Sequence, residues 1–313
     1  MGEINGPVLT GRRSLLLGMA ALAAAALSGC GGPAQDVPPP GSTPATPPPA
    51  PPLPADVATP APSVASAAGT PTAEPARPAP PSKEQIVSEF SGRRPQQWGL
   101  HVSGVVNGSA AKQVALTFDA CGGSGGSGCD QKLLGTLRAL NIPATLFVNQ
   151  RWIEANQALT RELGSDPLFE LANHGFLHRP LSVNGRSAYG IAGTADVGQV
   201  YDELMGNQSV LQGMTGGPAR FFRPGTAFYD EVAAAITRRV GLLPVNFTVN
   251  GDAGATFPAA TVAAEVGRVV PGDIVISHFN KPGSGTAAGY AQVLPRLLGQ
   301  GITFAKLGSV LPL

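Results

Sequence analysis

Polar side chains able to bind a metal or to transfer a proton lie at or just beyond the ends of predicted strands. They are Asp119, His174, His178, Arg223, Asp252 and His278. The chain has 4 histidines, and three of these belong to this set. His174 and His178 are spaced so that both can face one metal ion, although an isolated pair of this kind more often lies on a surface or packs in a core. The acid upstream and the histidine downstream favour a metal site.

Asp119 ends a predicted strand in which Val114, Leu116 and Phe118 occupy alternate positions. A glycine-rich loop at 122–128 follows it. In α/β folds, residues at which a strand ends and a loop begins face the mouth of the active site. Asp119 is therefore a candidate base or metal ligand. The alternative is that it only caps the turn before the next helix.

The elements that must position these side chains alternate between strand and helix. Strands are predicted at 114–119, 143–149, 169–173, 220–223, 243–249, 273–277 and 302–305. Helices are predicted at 84–90, 131–140, 151–163, 196–213, 230–240, 258–269 and 290–299. Alternation of this kind argues for an α/β fold with a parallel sheet or barrel.

Composition limits the possible partners. The 21 Lys and Arg residues nearly balance the 20 Asp and Glu residues, and the formal net charge is +1. Basic residues form no run longer than isolated pairs, so we expect no nucleic-acid partner. The 313 residues leave room for one large domain with appendages, which we expect to be a monomer.

Residues 1–29 are typical of an export signal. Arg12 and Arg13 precede an apolar run that ends at Ser28, which is too short to span a membrane comfortably. The paired arginines resemble signals that export already folded proteins. The Leu-Ser-Gly-Cys sequence at 27–30 resembles a bacterial lipobox, in which Cys30 is lipid-modified after cleavage. An ordinary signal peptide with an incidental cysteine is the alternative.

The remaining organisation follows from composition. Residues 30–81 hold the candidate lipid-bearing cysteine and a Pro/Ala-rich stretch, which we expect to be a disordered linker. Residues 82–111 form a lead-in segment, and residues 112–313 form the folded domain. We therefore expect an exported lipoprotein of the cell envelope, anchored to a membrane and located in the periplasm or on the cell surface.

Cys121 and Cys129 bracket the glycine-rich loop. In an oxidising compartment, a disulfide between them is the prediction. The competing interpretation makes Cys121 a thiolate metal ligand beside Asp119.

The motifs together resemble those of the polysaccharide deacetylase family, the NodB-homology carbohydrate esterases. The resemblance covers about residues 112–307 and rests on Thr117-Phe118-Asp119, Asn173-His174 with His178, Arg223-Pro224, Asp252, and Ile276-Ser277-His278. It implies a distorted (β/α) barrel of about seven parallel strands. It also implies a divalent metal, usually zinc, and hydrolysis of acetyl groups from polymers of N-acetylated amino sugars.

The resemblance implies a role for each residue. Asp119 is expected to be the general base, and Arg223 to orient it. His174 and His178 are expected to bind the metal. His278 is expected to be the general acid, with Asp252 as its charge partner.

Three positions depart from the family pattern. Ala120 stands where the family has a second aspartate that binds the metal, so the motifs supply one ligand too few. Asp130 is the preferred replacement, although it is equally suited to cap the helix that follows it. Cys121 is the second candidate, which a disulfide would remove. Gly175 stands where the family usually has a serine or threonine after the first histidine, and Gly-Thr-Ala at 225–227 precedes Phe228 and Tyr229 where the family usually has an aromatic residue soon after its proline.

The predicted function is therefore metal-dependent deacetylation of an N-acetylated polysaccharide, such as peptidoglycan or an extracellular polysaccharide. One alternative is a catalytically inactive glycan-binding envelope lipoprotein that has lost its metal. Another is an O-acetyl esterase, or a different amide hydrolase, with the same fold.

Overall fold

A parallel sheet bearing the predicted site residues dominates the computed structural model, which describes residues 79–311. In chain order the elements are α1 (Lys83–Phe90), β1 (Trp98–Gly99), β2 (Ala115–Ala120), α2 (Gln131–Ala139), β3 (Ala144–Val148), α3 (Gln150–Ala155), α4 (Gln157–Ser165), β4 (Phe169–Asn173), α5 (Val197–Thr215), β5 (Phe221–Phe222), β6 (Tyr229–Asp230), α6 (Glu231–Arg239), β7 (Leu243–Pro244), β8 (Val249–Asn250), α7 (Ala259–Val266), β9 (Ile274–His278), α8 (Thr286–Gly299) and α9 (Leu307–Val310). The export signal, Cys30 and nearly all of the predicted linker lie outside the described residues.

The main sheet has seven strands in the order β7-β5-β4-β3-β2-β9-β8, and every neighbouring pair is parallel. The sheet curls into the distorted (β/α) barrel that the sequence predicts, so the predicted fold class is confirmed. Strands β2 and β3 are buried along their whole length, because the barrel interior covers one face and helices cover the other. A parallel sheet aligns the carboxyl ends of its strands, and this brings the chemically active side chains together.

The predicted strand at 243–249 is instead two short strands. β7 and β8 lie at opposite edges of the sheet, so the segment between them crosses from one edge to the other. The carbonyl groups of Val245 and Asn246 accept hydrogen bonds from the Arg223 guanidinium. The apolar pattern of this segment predicts one continuous strand. The segment leaves the sheet because its carbonyl groups bind the buried guanidinium instead.

Two other predicted elements differ from those in the structure. The helix predicted at 151–163 is divided at Asn156, whose side-chain amide donates to the Ser127 and Trp152 carbonyls. The strand predicted at 302–305 is reduced to an isolated bridge between Val114 and Phe304.

The lead-in segment packs into the core. Ser82 caps α1 in a capping box with Gln85, and the buried side chains of Ile86 and Phe90 join a hydrophobic cluster with residues of α5 and α6. A second and larger cluster lies between the central strands and α2, α7 and α8. Among the described residues, no helix combines the length and apolarity needed to cross a membrane.

Candidate active site

Asp119 lies at the carboxyl end of β2, directly opposite His278 in the register of β2 and β9. Its side chain is buried, and its Oδ1 atom accepts a hydrogen bond of 2.8 Å from Nη1 of Arg223. Its Oδ2 atom lies 3.6 Å from Nε2 of His174. Burial raises the pKa of this carboxyl, but the charges of Arg223 and the nearby histidines more than offset burial and hold the pKa below its ordinary value.

Arg223 follows β5 and is completely buried. Nη1 also donates to Thr117 Oγ1 at 2.9 Å, while Nη2 donates to the Asn246 carbonyl at 3.0 Å and Nε to the Val245 carbonyl at 3.3 Å. The guanidinium also lies over the Phe147 ring, 4.3 Å from its centroid. An unpaired cation at this depth would be very costly, and here each of the three guanidinium nitrogens donates at least one hydrogen bond.

His174 is held in one tautomer by its surroundings. Its Nδ1 atom lies 2.8 Å from the Arg223 carbonyl, which can only accept, so Nδ1 carries the proton and Nε2 presents a lone pair. Burial is the main cause that lowers the pKa of this imidazole below its ordinary value, which favours the neutral form that binds a metal.

His178 packs edge to face against His174, with 4.9 Å between the ring centroids. Its backbone has a φ of 64°, and the flanking N–H groups of Leu177 and Arg179 both donate to the buried carboxylate of Glu203. A side chain at Gly225 would collide with the His178 ring and backbone, so this close approach requires glycine. The Nε2 atom of His178 is buried and has no hydrogen-bond partner in the described part of the chain.

Cys121 completes the set of possible metal ligands. Its Sγ atom and one ring nitrogen from each of His174 and His178 all lie within 4.8 Å of one another. Burial raises the pKa of this thiol, but His178 and His278 together lower it to about 6. Ala120, in contrast, contributes its side chain to the hydrophobic core.

The predicted disulfide between Cys121 and Cys129 is wrong for this structure, in which both thiols are free. Cys121 faces the histidines, whereas Cys129 accepts a weak hydrogen bond from Gln131 and has its pKa raised, mainly by burial, to about 11.

Asp130, the preferred third ligand, lies elsewhere. Its Oδ1 atom caps α2 by accepting from the N–H groups of Lys132 and Leu133, each at 3.2 Å. The alternative role of helix N-cap is thus confirmed, and Cys121 takes its place beside the two histidines.

His278 and Asp252 form a second polar pair on the other side of Asp119. Nδ1 of His278 lies 2.9 Å from Asp252 Oδ1, and the His278 backbone N–H donates to Oδ2 at 2.7 Å. The Thr286 hydroxyl donates to the same Oδ2 at 3.0 Å. Burial lowers the pKa of His278, but hydrogen bonds and charges from Asp252 and Cys121 more than compensate, so its pKa lies well above the ordinary value.

Several residues that position the site escape notice in the sequence. Thr117 contacts Arg223, and the Asn149 amide donates to the carbonyls of His174 and Gly175 at 3.0 and 2.6 Å. Asn149 immediately follows β3. The criterion that identified Asp119, a polar residue at the end of a predicted strand, could therefore have identified Asn149 as well. Glu203 carries a weaker signal, namely an acid on the buried face of an amphipathic helix.

Comparison with known proteins identifies relatives of the chain. Residues 107–245 match the family model described as polysaccharide deacetylase. The family resemblance drawn from the motifs is therefore confirmed. Among curated proteins, the bifunctional xylanase/deacetylase of Pseudobutyrivibrio xylanivorans is 24% identical over 200 residues, which are 64% of this chain and only 30% of that protein.

Solved structures show the same fold at low sequence identity. A pseudoenzyme of carbohydrate esterase family 4 from Bacillus anthracis is 18% identical with a TM-score of 0.55, over 68% of this chain and 69% of that one. A family 4 carbohydrate esterase from Bacillus subtilis is 20% identical with a TM-score of 0.54, over 74% and 91% of the two chains. A family 4 acetyl xylan esterase from Clostridium thermocellum, solved with a cobalt ion, is 22% identical with a TM-score of 0.52, over 64% and 90%.

The buried pair of Arg223 and Asp119 yields a stability prediction. We expect Arg223→Met to lower the free energy of unfolding by about 3–5 kcal/mol, because it leaves a buried carboxylate without its cation. Asp119→Asn combined with Arg223→Met should be less destabilised than the sum of the single variants. Urea denaturation of the parent, both single variants and the double variant, each after treatment with a chelator, measures this coupling. Purely additive losses would show that the two charges do not stabilise each other.

Proposed function

We propose that this chain is a metal-dependent deacetylase that removes acetyl groups from a polymer of N-acetylated amino sugars, such as peptidoglycan or an extracellular polysaccharide. One observation carries the proposal: the buried carboxylate of Asp119 lies 3.6 Å from a ring nitrogen of His174, in a cluster of three possible metal ligands, and opposite His278, which is paired with Asp252. A pure glycan-binding surface has no use for a base and an acid beside a metal site.

The donor set fits a divalent metal such as zinc. Thiolate and imidazole ligands suit zinc, and three protein ligands leave a fourth position open, as catalytic zinc sites require. The buried Nε2 atom of His178 lacks a hydrogen-bond partner in the described residues, and coordination of a metal ion would satisfy its lone pair. A bound ion would polarise the acetyl carbonyl and lower the pKa of a water molecule.

Asp119 is placed to take up a proton. Arg223 occupies Oδ1, which leaves Oδ2 on the side of His174 free to accept the proton of the attacking water. Because the guanidinium is itself fixed by two backbone carbonyls, the carboxylate cannot rotate without losing a buried hydrogen bond. Arg223 therefore orients the base rather than taking part in proton transfer.

His278 is placed to give up a proton. Asp252 binds Nδ1, so the proton available for transfer to the leaving amine is the one on Nε2. Asp252 is completely buried and accepts from His278 and Thr286, which fixes the orientation of the imidazole.

The ligand assignment predicts metal content. The compact unit Thr72–Leu313 should bind about one zinc ion per chain, and Cys121→Ser and His174→Ala should reduce this content severalfold. Asp130→Asn is the matched control, because asparagine caps a helix as well as aspartate and should leave the metal in place. Elemental analysis after dialysis measures the zinc content of the parent and of each variant. Metal loss in Asp130→Asn with retention in Cys121→Ser would reverse the assignment.

The proton-transfer roles predict activity. Asp119→Asn and His278→Gln should each lower kcat for acetate release from N-acetylglucosamine oligomers by roughly 10²–10⁴-fold while metal content is unchanged. An O-acetylated xylan oligomer tests the esterase alternative in the same assay. A parent protein that holds zinc yet releases acetate from neither substrate would favour the glycan-binding alternative.

We also propose that the chain is an exported lipoprotein, in which Cys30 carries the lipid and the Pro/Ala-rich stretch at 30–81 separates the enzyme from its membrane. The lipobox-like sequence at 27–30 supports this. Expressed at full length in a bacterial host, Cys30→Ser should move the protein from the membrane fraction to the soluble fraction. Equal membrane association of parent and variant would contradict lipid anchoring.

A further inference from the structure

We propose that Trp98, Tyr189 and Phe228, here called the aromatic platform, form a binding subsite for one sugar ring of the polymer, adjacent to the metal ligands. The proposal rests on the proposed function, since it assigns a further contact to the same substrate. Its occupant is a pyranose ring next to the one that loses its acetyl group.

The platform is a packed group of rings with an exposed edge. The Phe228 ring lies in the middle, with its centroid 5.7 Å from that of Trp98 and 5.4 Å from that of Tyr189. The Tyr189 side chain is 76% exposed, far more than the other large apolar residues at the described surface. The Arg186 guanidinium lies 5.3 Å over the Trp98 ring.

Three separate segments meet to build this group. Trp98 is in β1, which pairs antiparallel with β6, immediately after Phe228. Tyr189 is at the tip of a turn closed by hydrogen bonds between Ala188 and Ile191. The Phe228 carbonyl accepts from the N–H of Leu181, which connects the platform to the segment leading away from His178.

Two contacts make the platform continuous with the candidate active site. Gly225, in the loop that leads to Phe228, packs directly against His178. The side-chain amide of Asn246 donates to the carbonyls of Leu100 and Ala227, at 2.6 and 2.8 Å. The backbone carbonyl of the same Asn246 accepts from Arg223. A rigid set of hydrogen bonds therefore fixes the platform relative to the base and the ligands.

The chemistry of the platform suits a sugar better than an apolar partner. Aromatic rings pair an apolar face, which packs against the C–H groups of a pyranose, with a polar handle in the tyrosine hydroxyl. Arg186 adds donors that match ring hydroxyl and acetamido oxygens. This combination of apolar faces with a few polar groups is typical of small-ligand sites.

The dependence of KM on oligomer length tests the aromatic platform in the metal-loaded protein. We expect Tyr189→Ala to raise KM for an N-acetylglucosamine tetramer about five- to tenfold, with little change in kcat and no change in KM for the N-acetylglucosamine monomer, whose single ring occupies only the place of deacetylation. Tyr189→Phe should retain most of the tetramer affinity. Val270→Ala, at another exposed apolar position (57% against 76% for Tyr189), serves as the matched control and should behave as the parent.

Binding measured without turnover separates this proposal from the proposed function. Calorimetric titration of the metal-loaded parent and Tyr189→Ala with the tetramer should show the same weakening. Tetramer binding that depends on Tyr189 in a protein that releases no acetate would support the platform and contradict the deacetylase. Acetate release with equal KM values for parent and Tyr189→Ala, or no tetramer binding at millimolar concentration, would overturn the platform.

Discussion

The buried contact between Arg223 and Asp119 organises most of what surrounds it. Arg223 holds the carboxylate of Asp119 through Nη1, and its backbone carbonyl fixes the tautomer of His174. Its other donors reach the carbonyls of Val245 and Asn246, where the chain crosses between the edges of the sheet. A cation at this depth is tolerated because each of its nitrogen atoms donates to an acceptor. This one requirement therefore sets the positions of Asp119, His174 and the crossing segment.

The sequence predicts the central architecture well because local pattern and burial agree there. β2 and β3 are short apolar runs covered on both faces, and the observed strand β4 has the predicted limits 169–173. The division of 243–249 into β7 and β8 could not be predicted in the same way. Its cause is the guanidinium of Arg223, which is distant in the sequence and overrides the local preference for a continuous strand.

The residues of the candidate site could be predicted where a side chain able to bind a metal or transfer a proton falls at the end of a predicted strand. They stayed ambiguous where the path of a loop determines which side chain reaches the site. Both Asp130 and Cys121 could complete the ligand set by composition alone. The decision lies in the glycine-rich loop, where Gly122 packs so closely against the backbone of Arg151 and Trp152 that no side chain fits. That path directs Cys121 toward the histidines and leaves Asp130 at the start of α2. The capping role of Asp130 had a local signal in the sequence, whereas the direction of Cys121 depends on tertiary packing.

The crossing between β7 and β8 has a consequence for how the protein acquires its site. Asp119 is in the second strand of the chain, and its contact with Arg223 spans 104 residues, whereas the carbonyls of Val245 and Asn246 that hold the arginine lie only 22 and 23 residues beyond it. Contacts so distant in sequence form late in folding, after more local structure has developed. A partly folded chain that has β2, β3 and β4 in place therefore still lacks the buried contact between Asp119 and Arg223, and this contact marks completion of the whole domain.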